Sequence, residues 1–309
     1  MQKFEVRRTT GIYPLAEAKQ KFDEFGIIVL KEFMAPQTRD DIRDILTRKL
    51  EQSRLKGAVL KVPQYPKADF LLGDILANRE LAKYDYVFFK QEIVDLLKYI
   101  LHSKELIYYG DSSTQFDAAA RGFHKDHVER SNANTDDWVG DYGIIRCAFY
   151  CEDHSKYSGG LKVRLASHNV ENCRSSSDKS KISHHAGKAI DVKSEYGDLV
   201  MWSMRLTHSG NYRKLKFFRG LCLHPRIEMM LPDFLAAPEQ MRRYFMSCAF
   251  ARPGSHLEHY IQNMLRRDDD YRQYLERACN PAEVQQFLAE RNLTFRKPCD
   301  YYAQFDAND

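Results

Sequence analysis

Residues 197–211 read "GDLVMWSMRLTHSGN": a Gly-Asp turn, then apolar side chains at every second position. Val200, Trp202, Met204 and Leu206 share one parity, as residues on one face of a strand do. His208 falls on the same parity, near the predicted strand's end. A histidine on an apolar face is either a core residue with its ring hydrogen-bonded or a metal ligand, and this stretch alone fits both.

Working outward, the region from 106 to about 226 is a series of short β-rich runs separated by turn residues. They include "ELIYYG", "DYGIIRCAFYCED", "GGLKVRLASH" and "KLKFFRGLCLH". Such spacing predicts an antiparallel sandwich or barrel. In "KLKFFRGLCLH" (214–224) the parity of Arg219 is shared by Leu215, Phe217, Leu221 and Leu223. A guanidinium on that face needs an anion, either an acid of the fold or a bound carboxylate held by two parallel hydrogen bonds.

A further run, "RGFHKDHVER" (121–130), places an acid two residues after each of two histidines: Asp126 after His124, and Glu129 after His127. Alternate strand residues share a face, so either pair could grip one ion. About 1.5 such pairs are expected by chance from this composition, and the third in the chain is His256 with Glu258. Spacing leaves the choice of pair open.

The flanks differ from this centre. "PLAEAKQKFDEFG", "IIVLKEF" and "APQTRDDIRDILTRKLEQSRL" read as helix, strand, helix, and "QEIVDLLKYILHS" as a further helix. From about Pro232 onward the pattern is read as helical. The serine-rich stretch 170–189 is predicted to be a long surface loop or lid. The expectation is one domain: a helical N-terminal part (1–105), a β-barrel core (106–226) and a helical C-terminal extension (227–309).

The 309 residues carry 47 Lys and Arg against 43 Asp and Glu, a net charge of +4. That is too weak a bias to imply nucleic acid, while it tolerates an anionic substrate. No run approaches the length of a membrane span, which leaves peripheral membrane contact as the only membrane role to consider. Seven cysteines without a CxxC pair suggest reduced thiols in the cytoplasm rather than a zinc-thiolate site.

The order His124-Lys125-Asp126, then His208, then Arg219 resembles the phytanoyl-CoA dioxygenase family of Fe(II)- and 2-oxoglutarate-dependent oxygenases. "FDEFGIIVLKEF", "FYCEDHSKYSGGLKVRLASHN" and "GDLVMWSMRLTHSGN" resemble the family's opening, its Gly-Gly-Leu to Ser-His segment, and its distal-histidine strand. The likeness covers roughly residues 12–226. It departs at "LASHN", where Leu165 and Ala166 stand in place of the usual Pro-Gly.

The resemblance implies a double-stranded β-helix, a jelly-roll or cupin-like barrel with helical additions at both ends. It implies His124, Asp126 and His208 as iron ligands, with His127 and Glu129 facing away. Arg219 is then the residue for the distal carboxylate of 2-oxoglutarate, with Ser209 as a looser match. Two imidazoles and one carboxylate leave Fe(II) open positions for co-substrate and O2. Asp126 favours hydroxylation, because related halogenases lack this carboxylate to admit chloride.

Trp202 and Arg164 are candidates for the substrate-pocket wall. Arg121, Lys125, Arg205, Arg213, Lys214 and Lys216 read as a solvated face unless some line the mouth. The expected substrate is a small, anionic molecule: an acyl-CoA, an acidic sugar or glycolipid, a phosphorylated metabolite or an amino acid. Two readings from other classes remain: a non-catalytic binding barrel of the same fold, and a cupin-like metal isomerase or hydrolase that would not need Arg219.

Overall fold

The structure, a computed structural model, describes residues 2–56, 69–72, 75–116, 122–126, 140–155, 158–169, 189–216, 221–236, 244–267 and 281–296. Its strands are β1 (Glu5–Val6), β2 (Ile27–Leu30), β3 (Asp69–Leu72), β4 (Leu106–Phe116), β5 (Ile144–Tyr150) and β6 (Ser158–Arg164). They continue with β7 (Ala189–Asp191), β8 (Leu199–Ser203), β9 (His208–Leu215), β10 (Tyr244–Ala251) and β11 (Leu293–Phe295). The helices are α1 (Leu15–Phe25), α2 (Pro36–Leu55), α3 (Gln91–Ile100), α4 (Pro225–Met230), α5 (Ser255–Arg267) and α6 (Pro281–Ala289).

The strands form a jelly roll of two sheets. The larger runs β1-β2-β8-β5-β10-β4-β11, with β3 paired to the far half of β4. The smaller runs β7-β6-β9, and a bridge between His124 and His208 lays the 122–126 segment along its open edge.

Strand alternation divides the larger sheet. Ile145, Cys147, Phe149, Met201 and Phe250 pack with α2 and α3 in one apolar cluster that includes Ile45, Leu46, Val94 and Leu97. The opposite face (Ile27, Val29, Ala148, Tyr150, Val200, Trp202) meets Leu161 and Val163 of the smaller sheet. Both faces are covered, so β5 and β10 read as nearly continuous apolar runs. A third cluster, in which Tyr109, Ile144 and Ala249 meet Leu257, Tyr260 and Ile261 of α5, adds a helix to the same inward parity.

Two expectations need correction. The predicted strand through His208 breaks: β8 stops at Ser203, Met204–Leu206 make a turn, and His208 opens β9 in the other sheet. The apolar alternation persists across the break because the turn itself is buried. The β core also extends beyond 106–226, because β1 and β2 lie before it and β10 and β11 after it. "YFMSCAFA" has no polar face to mark it as a strand, so the helical tail expected from Pro232 onward is interrupted here by β10.

Gly26 fixes how this turn meets α1. It caps α1 in the left-handed region (φ 75°), with its N–H donating to Phe22 O at 2.7 Å. Its carbonyl accepts from Ser203 N at 3.0 Å. A Cβ placed there would lie 2.4 Å from His168 Nδ1 and 2.8 Å from Leu206 Cδ1. On the outer face of the smaller sheet, fully buried Lys162 pins α4 by ion pairs to Asp191 and to Glu228, the latter at 2.8 Å. No helix among the described residues is long and apolar enough to cross a membrane.

Candidate metal centre

His124 and His208 exchange backbone hydrogen bonds in both directions, each 2.9 Å long. Directly opposed residues of an antiparallel bridge project to the same side, here also the side of Val163, which pairs with His208 from the next strand. That side is the barrel interior. The two rings stand 4.3 Å apart between centroids.

Asp126, two residues on, completes the cluster. Its Oδ1 lies 3.5 Å from His124 Nε2 and 3.7 Å from His208 Nε2. Ligand atoms of these three residues lie within 4.8 Å of one another, the one such group among the described residues. His124 Nδ1 is 2.8 Å from Gly122 O, and His208 Nδ1 is 3.0 Å from Leu206 O. A carbonyl only accepts, so each Nδ1 carries the proton and each Nε2 is left with a lone pair directed at Asp126. With both rings neutral, three electron-pair donors face one another, an arrangement that fits a cation. Bonds of about 2.1 Å would draw them slightly closer.

Without an ion the same three groups form a salt-bridged cluster. Burial raises the Asp126 pKa, but His208 and His124 as protonated rings and the nearby Arg146 guanidinium outweigh it and hold the carboxyl well below its usual range. A bound cation would take the place of the two Nε2 protons. Arg146 projects inward from β5. Its Nε lies 3.4 Å from Asp126 Oδ2 and also 3.4 Å from Met204 Sδ. Its two terminal nitrogens reach Asp111 Oδ2 at 2.7 Å and Oδ1 at 3.4 Å.

Lys125, between the two ligands, is only 2% exposed. Its ammonium donates to Ser167 O and Arg205 O, tying the ligand segment to both neighbouring turns. Arg205 is equally buried, donating to Gly140 O at 2.6 Å and covering the Tyr142 ring. The reading of these two cations as solvated face is therefore corrected.

Trp202 stands beside the centre, its ring 5.6 Å from His208 and its Nε1 buried with no hydrogen-bond partner among the described residues. Across β5 and β8 it is the register partner of Arg146. Ser209 and Arg164 do not join them. Ser209 pairs with Lys162 and shares its outward parity, opposite to His208. Arg164 shares the parity of Lys162 and covers the Phe123 ring at 4.9 Å. Alternation from His208 and Val163 turns both away from the interior.

Arg219 and His127 lie outside the described residues, as do Glu129 and residues 170–188. Among the described residues on either side of Arg219, β9 ends at Leu215, residues 221–224 form no strand, and Leu221 is 51% exposed. Arg146, Asp111 and Tyr260 were not singled out from the sequence. An arginine at inward parity in "IIRCAFY" was the available signal for Arg146.

No family model matches the chain, and no curated protein does. Solved structures do. AviO1 from Streptomyces viridochromogenes Tue57 is similar over 78% of this chain and 96% of its own, at 14% identity and a TM-score of 0.52. EctD from S. alaskensis with bound Fe is similar over 79% of each chain, at 13% identity and 0.51. SnoN, a non-heme alpha ketoglutarate dependent epimerase from nogalamycin biosynthesis, is similar over 77% of this chain and 80% of its own, at 10% identity and 0.52. At these identities the likeness is one of fold.

Proposed function

We propose that the protein is an Fe(II)- and 2-oxoglutarate-dependent oxygenase of the phytanoyl-CoA dioxygenase type, with His124, Asp126 and His208 as metal ligands. One observation carries this reading. Two imidazoles whose Nδ1 atoms are both committed to backbone carbonyls turn their Nε2 lone pairs on one carboxylate oxygen, inside a jelly roll. Neighbours of that fold include EctD with bound Fe and SnoN, a non-heme alpha ketoglutarate dependent epimerase. Iron bound there would use 2-oxoglutarate and O2 to break a substrate C–H bond, yielding succinate and CO2.

The chain's own residues divide the remaining work. Asp126 stays ionised and supplies the negative ligand, and its presence favours hydroxylation. The carbonyls of Gly122 and Leu206 hold the two imidazoles in the ligating tautomer. Arg219 takes the distal carboxylate of 2-oxoglutarate, and the buried Trp202 walls the pocket near His208. The slight excess of cations suits a small anionic substrate. Cys147 and Cys151 are buried free thiols, which suits a reducing cytoplasm.

The test is anaerobic addition of Fe(II) and 2-oxoglutarate to the protein. The expected result is a weak visible charge-transfer band, lost in His208→Ala, with succinate formed when O2 is admitted. Absence of both band and succinate from the folded wild-type protein overturns the proposal and leaves a binding barrel. Metal uptake that is indifferent to 2-oxoglutarate favours the cupin-like isomerase or hydrolase. Succinate release across a panel of acyl-CoA, sugar, phosphorylated and amino-acid candidates then names the substrate class.

A further inference from the structure

A carboxylate facing a cation binds through one oxygen or two, and the difference changes how many positions the ion keeps open. In this chain the second oxygen of Asp126 faces a cation in an ion pair, while the Arg146 Nε–H itself is directed at Met204 Sδ. Oδ1 faces the histidines, while Oδ2 sits 3.4 Å from Arg146 Nε. Arg146 is itself held from behind. Asp111 of β4 receives both terminal nitrogens, and Ser247 Oγ of β10 lies 3.4 Å from Nη1. The Tyr260 hydroxyl of α5 donates to Asp111 Oδ2 at 2.9 Å and lies 3.4 Å from Arg146 Nη2. Asp111 is 1% exposed and Tyr260 is fully buried.

We propose that Tyr260, Asp111 and Arg146 form a positioning relay that reserves Asp126 Oδ2 and makes Asp126 a one-oxygen ligand, so that α5, beyond the core expected from sequence, belongs to the metal centre. The inference rests on the reading of the triad as metal ligands. Its physical basis is that a buried guanidinium must keep its anions. Withdrawing the Tyr260 hydroxyl leaves Asp111 one donor short, which draws Arg146 toward Asp111 and away from Asp126. Asp126 is then free to turn its second oxygen inward. None of the three relay residues touches the ion, so they act only through Asp126.

Co(II) titration of metal-free protein tests this without catalysis, because its visible ligand-field bands report coordination number as well as affinity. Arg146→Met is expected to weaken Co(II) binding by about 10- to 100-fold, the usual cost of losing an outer partner. Tyr260→Phe should weaken it several-fold, and both should shift the bands towards a higher coordination number.

A merely structural role would lower the denaturation midpoint and leave affinity and bands at wild-type values, and that result overturns the relay. Should Arg146→Met fail to fold, Tyr260→Phe decides alone, since it keeps the ring and removes one oxygen. His208→Ala is the separate control. If it binds Co(II) as tightly as wild type, the metal reading itself falls and the relay with it. If it abolishes binding while Tyr260→Phe changes nothing, only the relay falls.

Discussion

Gly26→Ala should be among the most damaging single-methyl changes in the chain. Two costs combine. An L-residue held at φ 75° costs about 1–2 kcal/mol. The new methyl would also stand 2.4 Å from His168 Nδ1 and 2.8 Å from Leu206 Cδ1, and overpacking of this kind typically costs about 1–3 kcal/mol. Together they predict a loss of about 2–5 kcal/mol, or roughly 4–10 °C in Tm at about 2 °C per kcal/mol for a chain of this size.

The damage should reach the metal centre, because Leu206 O holds His208 Nδ1 and would move with its side chain. Urea denaturation followed by tryptophan fluorescence measures the first effect, and Co(II) titration the second. His168→Ala added to Gly26→Ala removes the nearest clash and should recover part of the stability, leaving the backbone cost. A Gly26→Ala protein within 1 °C of wild type, or a double variant with no recovery, would refute both the conformation and the packing assigned to this turn.

Acid should destabilise the protein through His168. Burial lowers its pKa from 6.5 to about 4, so between those values the unfolded chain binds a proton that the native state does not. Stability therefore falls as pH drops through that window, by at most about 3 kcal/mol and less for partial exposure of the ring; His168→Gln should flatten the profile. Lys125→Met should cost about 2–4 kcal/mol in urea denaturation, because two buried carbonyls lose their donor, and should weaken Co(II) binding. His208→Ala should abolish that binding and His127→Ala should leave it largely intact; equal loss in these two would assign the ion to His127 rather than His124. Arg219→Ala should raise the 2-oxoglutarate concentration needed for succinate formation and spare Co(II) affinity.

Much of this arrangement was legible in the residues, for uneven reasons. A sandwich or barrel followed from short β-rich runs and the jelly roll from the family resemblance, and β4, β5, β6 and β8 fall where those runs lie. The inward side of His208 was reached by a faulty route, since the alternation counted through Met204 and Leu206 crosses a turn. Spacing never separated His124–Asp126 from His127–Glu129; resemblance did, and the structure brings the first pair to His208. β10 stayed hidden because a strand covered on both faces has no period of two. Lys125 and Arg205 were misjudged because charge suggests solvent, while backbone carbonyls supplied by distant turns satisfy them here. Such partners are visible only once the chain has folded.

The place of β10 has a consequence for biosynthesis. It hydrogen-bonds on one side to β4 and on the other to β5, yet it is made after both of them and after the whole smaller sheet. A nascent chain that has emerged as far as β9 therefore carries two open strand edges inside its principal sheet, the kind of surface that recruits stray strands. The barrel can close only once β10 has been made and inserted between β5 and β4. A premature stop before residue 244 would yield an open, aggregation-prone sheet with no barrel to shelter the His124, Asp126 and His208 cluster.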